Sequence, residues 1–140
     1  MKNLQAGQQY KSINTQTGVI DADPHRLIQM LFAGALEYIS VAKGCMQRDD
    51  LAGKGEAISK AIGIVGGLLD SVNVDAEQEG LGDNLSALYH FVTRRLSEAN
   101  ANNDSVALDE SANVLRELQA GWNDIRAEVV SESSAESMQV

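Results

Sequence analysis

The chain has 140 residues, about the length of a single domain, with 44% hydrophobic and 22% charged residues. Twenty acidic against eleven basic side chains give a formal net charge of −9, which disfavours nonspecific association with nucleic acid or anionic lipid. A single cysteine, Cys45, excludes an internal disulfide and a multi-cysteine zinc site, and with only one proline, Pro24, the composition leans towards helix.

Residues 1–22 hold glutamines, Gly7, Gly18 and scattered apolar groups at Tyr10, Ile13, Val19 and Ile20, and are expected to form a loosely ordered N-terminal arm. The first ten residues have no apolar core and do not read as a secretory signal. The longest nearly unbroken apolar run, Ala61 to Leu69, is too short to span a bilayer. The expectation is a soluble cytoplasmic protein with no stable membrane insertion and no nucleic-acid partner.

The first helix opens at Asp23-Pro24, an acidic N-cap followed by proline at the first helical position, and should run to about Arg48. Ile28, Leu31, Ala35, Tyr38, Ala42 and Cys45 form one inward seam, and Phe32, Leu36, Ile39 and Met46 a second beside it. Two adjacent seams make a stripe wider than one helix contact needs. This helix therefore sits between two neighbours or leaves part of its stripe for a partner.

Asp49-Asp50 reads as the next cap, before a helix to about Val72 with Ile58, Ile62, Val65, Leu69 and Val72 in phase. Gly63, Gly66 and Gly67 lie inside this helix on a face offset from the seam, each at a cost of about 1 kcal/mol relative to alanine. Such a bare face reads as the wall of a groove or, equally, as tight packing inside the bundle or neutral surface glycines. Residues 71–82 read as the longest internal loop. The third helix follows Asp83, with Leu85, Leu88, Val92, Leu96 and Ala99 expected inside. After the turn at 100–104, the fourth carries Leu108, Ala112, Leu115, Leu118, Trp122, Ile125 and Val129 at a mean spacing of 3.5, a bundle seam. Residues 131–140 read as a disordered, solvated tail. The sum is an all-α chain: an antiparallel four-helix bundle over residues 23–130, flanked by the arm at 1–22 and the tail at 131–140.

Chemistry is sparse in this pattern. A di-metal bundle site needs Glu-x-x-His pairs, and no glutamate here has a histidine three residues on. There is no phosphate-binding glycine loop, and Cys45 falls on an inward face where a thiol is inert. No catalytic residue, metal site or cofactor is expected. His90 in mid-helix, two residues from both Leu88 and Val92, should face outward, which keeps a histidine phosphotransfer bundle as an alternative. The lysine and glycine that such a bundle carries just downstream are Thr93 and Arg94 here.

Several motifs in register carry a more specific resemblance. The run Asp23-Pro24-His25-Arg26-Leu27-Ile28-Gln29-Met30-Leu31-Phe32-Ala33-Gly34-Ala35 resembles the first-helix signature of the FliS family of flagellin export chaperones. Lys54 to Ile62 is similar to that family's second helix, and Asn84 to Tyr89 with Arg94 to Asn100 to its third; the likeness runs in order from about Tyr10 to Trp122. The resemblance implies an antiparallel helical bundle without enzymatic activity. It implies that the protein binds the disordered C-terminal segment of flagellin in the cytoplasm, prevents premature polymerisation and assists delivery to the flagellar type III export apparatus. Export-gate components and other flagellar proteins are the further partners it suggests, and a general flagellar adaptor is the neighbouring reading. Partner-binding positions are expected at Tyr10 and Ile13 in the arm, at Ile58, Ile62, Val65 and Gly66 on the second helix, and at Leu115, Leu118 and Trp122 on the fourth.

Overall fold

The computed structural model describes residues 23–74 and 81–138, with side-chain surroundings for 23–72 and 84–125. Four helices account for the described residues: α1 (Pro24–Gln47), α2 (Leu51–Val74), α3 (Leu81–Asn102) and α4 (Ser105–Met138). An aspartate precedes each helix that has a described entry turn. Asp23 Oδ1 accepts from the His25 N–H at 3.1 Å, Asp50 Oδ1 from Gly53 at 2.9 Å, and Asp104 Oδ1 from Val106 at 3.0 Å. Each satisfies an N–H that the helix itself leaves unpaired. The α1–α2 and α3–α4 turns are tight because Asp49 (φ 57°) and Asn103 (φ 52°) enter the left-handed region, which Asp and Asn tolerate better than most residues.

Consecutive helices pack as antiparallel neighbours, and α1 also packs on α4, which closes a square of four helices. The wide stripe of α1 is thereby explained: α1 lies between α2 and α4. Phe32, Ala35, Ile39, Ala42 and Met46 point into the core with Ala57, Ile58, Ala61, Val65 and Leu68 of α2. From the other side come Tyr89, Val92, Leu96 and Ala99 of α3 and Ala107, Leu108, Ala112 and Leu115 of α4. The Phe32 and Tyr89 rings meet at 6.5 Å, joining α1 to α3 through the centre. Burial pushes the Tyr89 hydroxyl up to about 12, so the phenol is neutral at physiological pH.

Two seam assignments differ from the sequence reading. Leu88 is 38% exposed, because the inward phase of α3 runs through Tyr89, Val92 and Leu96, one position on. Ile125 is 47% exposed, because it lies on the α3 side of α4, level with the very start of α3. The helix limits also shift: α2 reaches Val74, α3 starts at Leu81, and the region between them, 75–80, lies outside the described residues. α4 is described through Met138, and Ser131 to Met138 contains no glycine or proline to stop a helix.

Glycine governs one crowded corner. A Cβ at Gly53 would lie 2.9 Å from both the Asp50 Cγ and the Cys45 Sγ, inside the first turn of α2. Gly53→Ala is expected to displace the Asp50 cap and cost about 1–3 kcal/mol, read as a lower midpoint in thermal unfolding followed by circular dichroism.

Candidate functional site

The four seams between neighbouring helices are not equally closed. Between α1 and α2, small residues permit close approach: a Cβ at Gly34 would sit 3.3 Å from the Ile64 Cδ1, and one at Gly67 3.8 Å from the Leu31 methyls. Lys60 Nζ lies over the Tyr38 ring at 5.4 Å on the same side. Between α1 and α4, polar bridges run along the length: Lys43 Nζ to Asp109 Oδ1 at 2.7 Å and Gln29 Nε2 to Asn123 Oδ1 at 2.8 Å. At its end the Trp122 indole N–H donates to the His25 carbonyl at 3.0 Å while the two rings stack at 4.6 Å. Trp122 is a structural latch between α1 and α4. Trp122→Phe should cost about 0.5–1.5 kcal/mol through the lost hydrogen bond, measured by chemical denaturation with helicity as the signal.

The α2–α3 seam is different. At its turn end the buried Lys54 donates to the Asn100 carbonyl and to Asn103 Oδ1, both at 3.1 Å, which turns the Lys54 side of α2 towards the C-terminus of α3. A cation at that end also suits the negative pole of the α3 dipole. From there the α2 residues on the α3 side are Ile58, Ile62, Gly66 and Leu69, at steps of four, four and three. α3 runs antiparallel, and steps of seven, four and three back from Asn100 bring Thr93, Tyr89 and Ser86 to the facing side. Ile58 and Tyr89 are buried, whereas Ile62, Gly66, Leu69, Ser86 and Thr93 are half-covered. A Cβ at Gly63 or Gly66 would meet no heavy atom within 4 Å. The result is a shallow trough with apolar Ile62 and Leu69 on its α2 wall, polar Ser86 and Thr93 on its α3 wall, a floor at buried Ile58 and Tyr89, and one bare edge.

The expected partner-binding positions divide accordingly. Ile62 and Gly66 line the trough. Ile58 and Val65 are each 1% exposed and Leu115 is 0% exposed; these three are core and offer no surface to a partner in this arrangement. Their burial has a simple cause, since they occupy the innermost phase of their helices. Leu118 is half-buried and belongs to the α3–α4 seam, and Trp122 to the α1–α4 latch. Tyr10 and Ile13 lie outside the described residues. Leu69 and Gly63 were not among the expected positions; Gly63 was signalled by the offset of 63, 66 and 67 from the inward seam, whereas Leu69 was expected within that seam and is half-covered here. Of the three glycines only Gly67 packs against a neighbour, so the tight-packing reading holds for it alone.

Among the described residues, reactive side chains do not gather at one place. Cys45 is buried, and His90 is exposed on α3. Among the described residues no group of three or more His, Cys, Asp or Glu side chains could hold a metal ion, and no helix is long and apolar enough to cross a membrane. Arg95 is tied to Glu98 at 2.6 Å and Glu110 at 2.9 Å; the Glu98 hydrogen bond, and then Glu110, raises its pKa further.

These features define an antiparallel four-helix bundle with a partly covered apolar seam between α2 and α3. A family model described as Flagellar protein FliS matches residues 6–129, and the chain belongs to that family. It is 44% identical over 126 residues to Flagellar secretion chaperone FliSB of Pseudomonas aeruginosa, covering 89% of this chain and 98% of that protein. It is 38% identical over 117 residues to Flagellar secretion chaperone FliS of Salmonella typhimurium, covering 83% and 86%. The FliS of Vibrio cholerae, of the same description, is 32% identical over 129 residues, covering 92% and 94%. The family is one of chaperones, not enzymes, and within it the phosphotransfer alternative for His90 has no support.

Proposed function

We propose that this protein is an export chaperone that binds the disordered C-terminal segment of flagellin one to one in the cytoplasm. By covering that segment it prevents premature polymerisation and presents flagellin to the flagellar type III export apparatus. The observation that carries the reading is the α2–α3 trough, apolar at Ile62 and Leu69 and bare at Gly63 and Gly66, on a member of the FliS family. An amphipathic client segment that becomes helical on docking would lay its apolar face there, and the missing side chains let its backbone approach closely. Ordering a flexible client costs conformational entropy, which an apolar trough offsets without any covalent step. Tyr10 and Ile13 enter this proposal as client-facing residues on the strength of the family resemblance.

The test is calorimetric titration of the full chain with a peptide of the flagellin C-terminal segment, beside a scrambled peptide. Saturable binding near one to one is expected, with a negative heat-capacity change from apolar burial. Absence of binding by a chain whose helicity and cooperative melting are intact overturns the proposal.

A further inference from the structure

The other flank of α3 carries a second seam that the proposed function leaves unused. It is anchored by the Arg95 Nε–Glu110 Oε2 pair at 2.9 Å, which fixes the facing sides of α3 and α4. Going back along α3 by four and then three residues gives Phe91 and Leu88. Going forward along α4 by four, four, three and four gives Val114, Leu118, Gly121 and Ile125. The helices are antiparallel, so these steps lie beside one another. Phe91, Val114 and Leu118 are half-buried against the core, Leu88 and Ile125 are the exposed members, and a Cβ at Gly121 would meet nothing within 4 Å. From Glu110 to Ile125 the strip is about 22 Å long, roughly four helical turns.

Its α4 edge is acidic at a regular interval. Glu117 and Asp124 are seven residues apart, both exposed, and neither has an ion-pair or hydrogen-bond partner among the described residues. Glu110, seven residues earlier, is already committed to Arg95. Two turns separate Glu117 from Asp124, so both project from one face, about 10 Å apart. The α3 edge is uncharged at Asn84 and Ala87, while Arg94 at the anchored end lies over the Phe91 ring at 5.7 Å. An apolar strip with one free acidic edge favours a partner whose charge is opposite on that side alone.

We propose that the α3–α4 seam docks a cationic amphipathic helix of a partner protein, at a site separate from the flagellin trough. Its apolar residues recur at three and four, and Lys or Arg side chains seven residues apart on one flank reach Glu117 and Asp124. Exposed ion pairs contribute little affinity, so the apolar strip supplies the binding and the two carboxylates supply orientation and selectivity.

The experiment uses the full chain and a synthetic Leu/Lys helical peptide of about five turns, at physiological salt. Its controls are the same composition scrambled and the same apolar pattern with Glu in place of Lys. The Leu/Lys helix is expected to bind at least about tenfold more tightly than either control by fluorescence anisotropy. Amide shifts should concentrate at Leu88, Leu118, Gly121 and Ile125. In Glu117→Lys/Asp124→Lys, two exposed substitutions checked for unchanged melting, preference should pass to the Glu peptide while the flagellin peptide binds as before. Equal binding of the scrambled peptide, a footprint at Ile62–Leu69, or a preference indifferent to the charge reversal overturns the site. Loss of flagellin binding in the double variant overturns its separateness, and failure of the wild-type chain to bind flagellin bears only on the proposed function.

Discussion

Leu115→Ala is expected to remove about 2–5 kcal/mol of stability, as the transfer free energy of a buried leucine plus the cavity left behind. Leu115 is fully buried between the inward faces of the four helices, in the same cluster as Leu96 and Leu108, so no side chain can swing in to fill the gap. For a domain whose total stability is about 5–15 kcal/mol this is a large fraction. Urea denaturation followed by helicity should show a lower midpoint with an unchanged slope. Under conditions where the variant is folded, its affinity for the flagellin peptide should equal that of the wild-type chain. A normal midpoint together with weaker binding would place Leu115 on the client surface and would contradict its burial.

That pairing of outcomes matters because spacing alone gives Leu115 and Leu118 the same meaning. Both recur at helical intervals on one helix, and both are apolar; only the position of α3 decides that one is core and the other lines a seam. The same holds for Val65 and Gly66, neighbours of which one is buried and the other opens onto the trough. What was legible is local. Asp23, Asp50 and Asp104 announce helix starts because a cap depends on residues two or three positions away. The four-helix architecture follows from periodicity with short turns at 48–50 and 103–104. The exposure of Leu88 and Ile125 was not legible, since each depends on where another helix lies or ends. Family resemblance named the class of surface but could not say which seam stays open, because closure of the α1–α4 seam rests on long-range pairs such as Lys43–Asp109.

Gly66→Leu gives the sharpest test of the trough, since its two effects have opposite signs. Within the α2 interior the change relieves the entropic cost of glycine by up to about 1 kcal/mol, and no neighbouring atom opposes the new side chain. Stability should therefore be maintained or rise. The leucine then occupies the space between Ile62, Leu69 and the facing Thr93 and Ser86, where the client helix is proposed to lie. Affinity for the flagellin peptide should fall at least tenfold, equivalent to about 1.4 kcal/mol, in the calorimetric titration. Gly67→Leu is the matched control. Its Cβ already lies 3.8 Å from both Leu31 methyls, so a larger side chain must push α1 away, and it should lower stability while leaving folded-state affinity much less affected. Unchanged affinity in Gly66→Leu moves the client off the α2–α3 seam. Loss of affinity in both variants with equal loss of stability assigns the glycine run to packing. Only a stable Gly66→Leu that no longer binds makes the bare edge of α2 the place where the client's backbone comes closest.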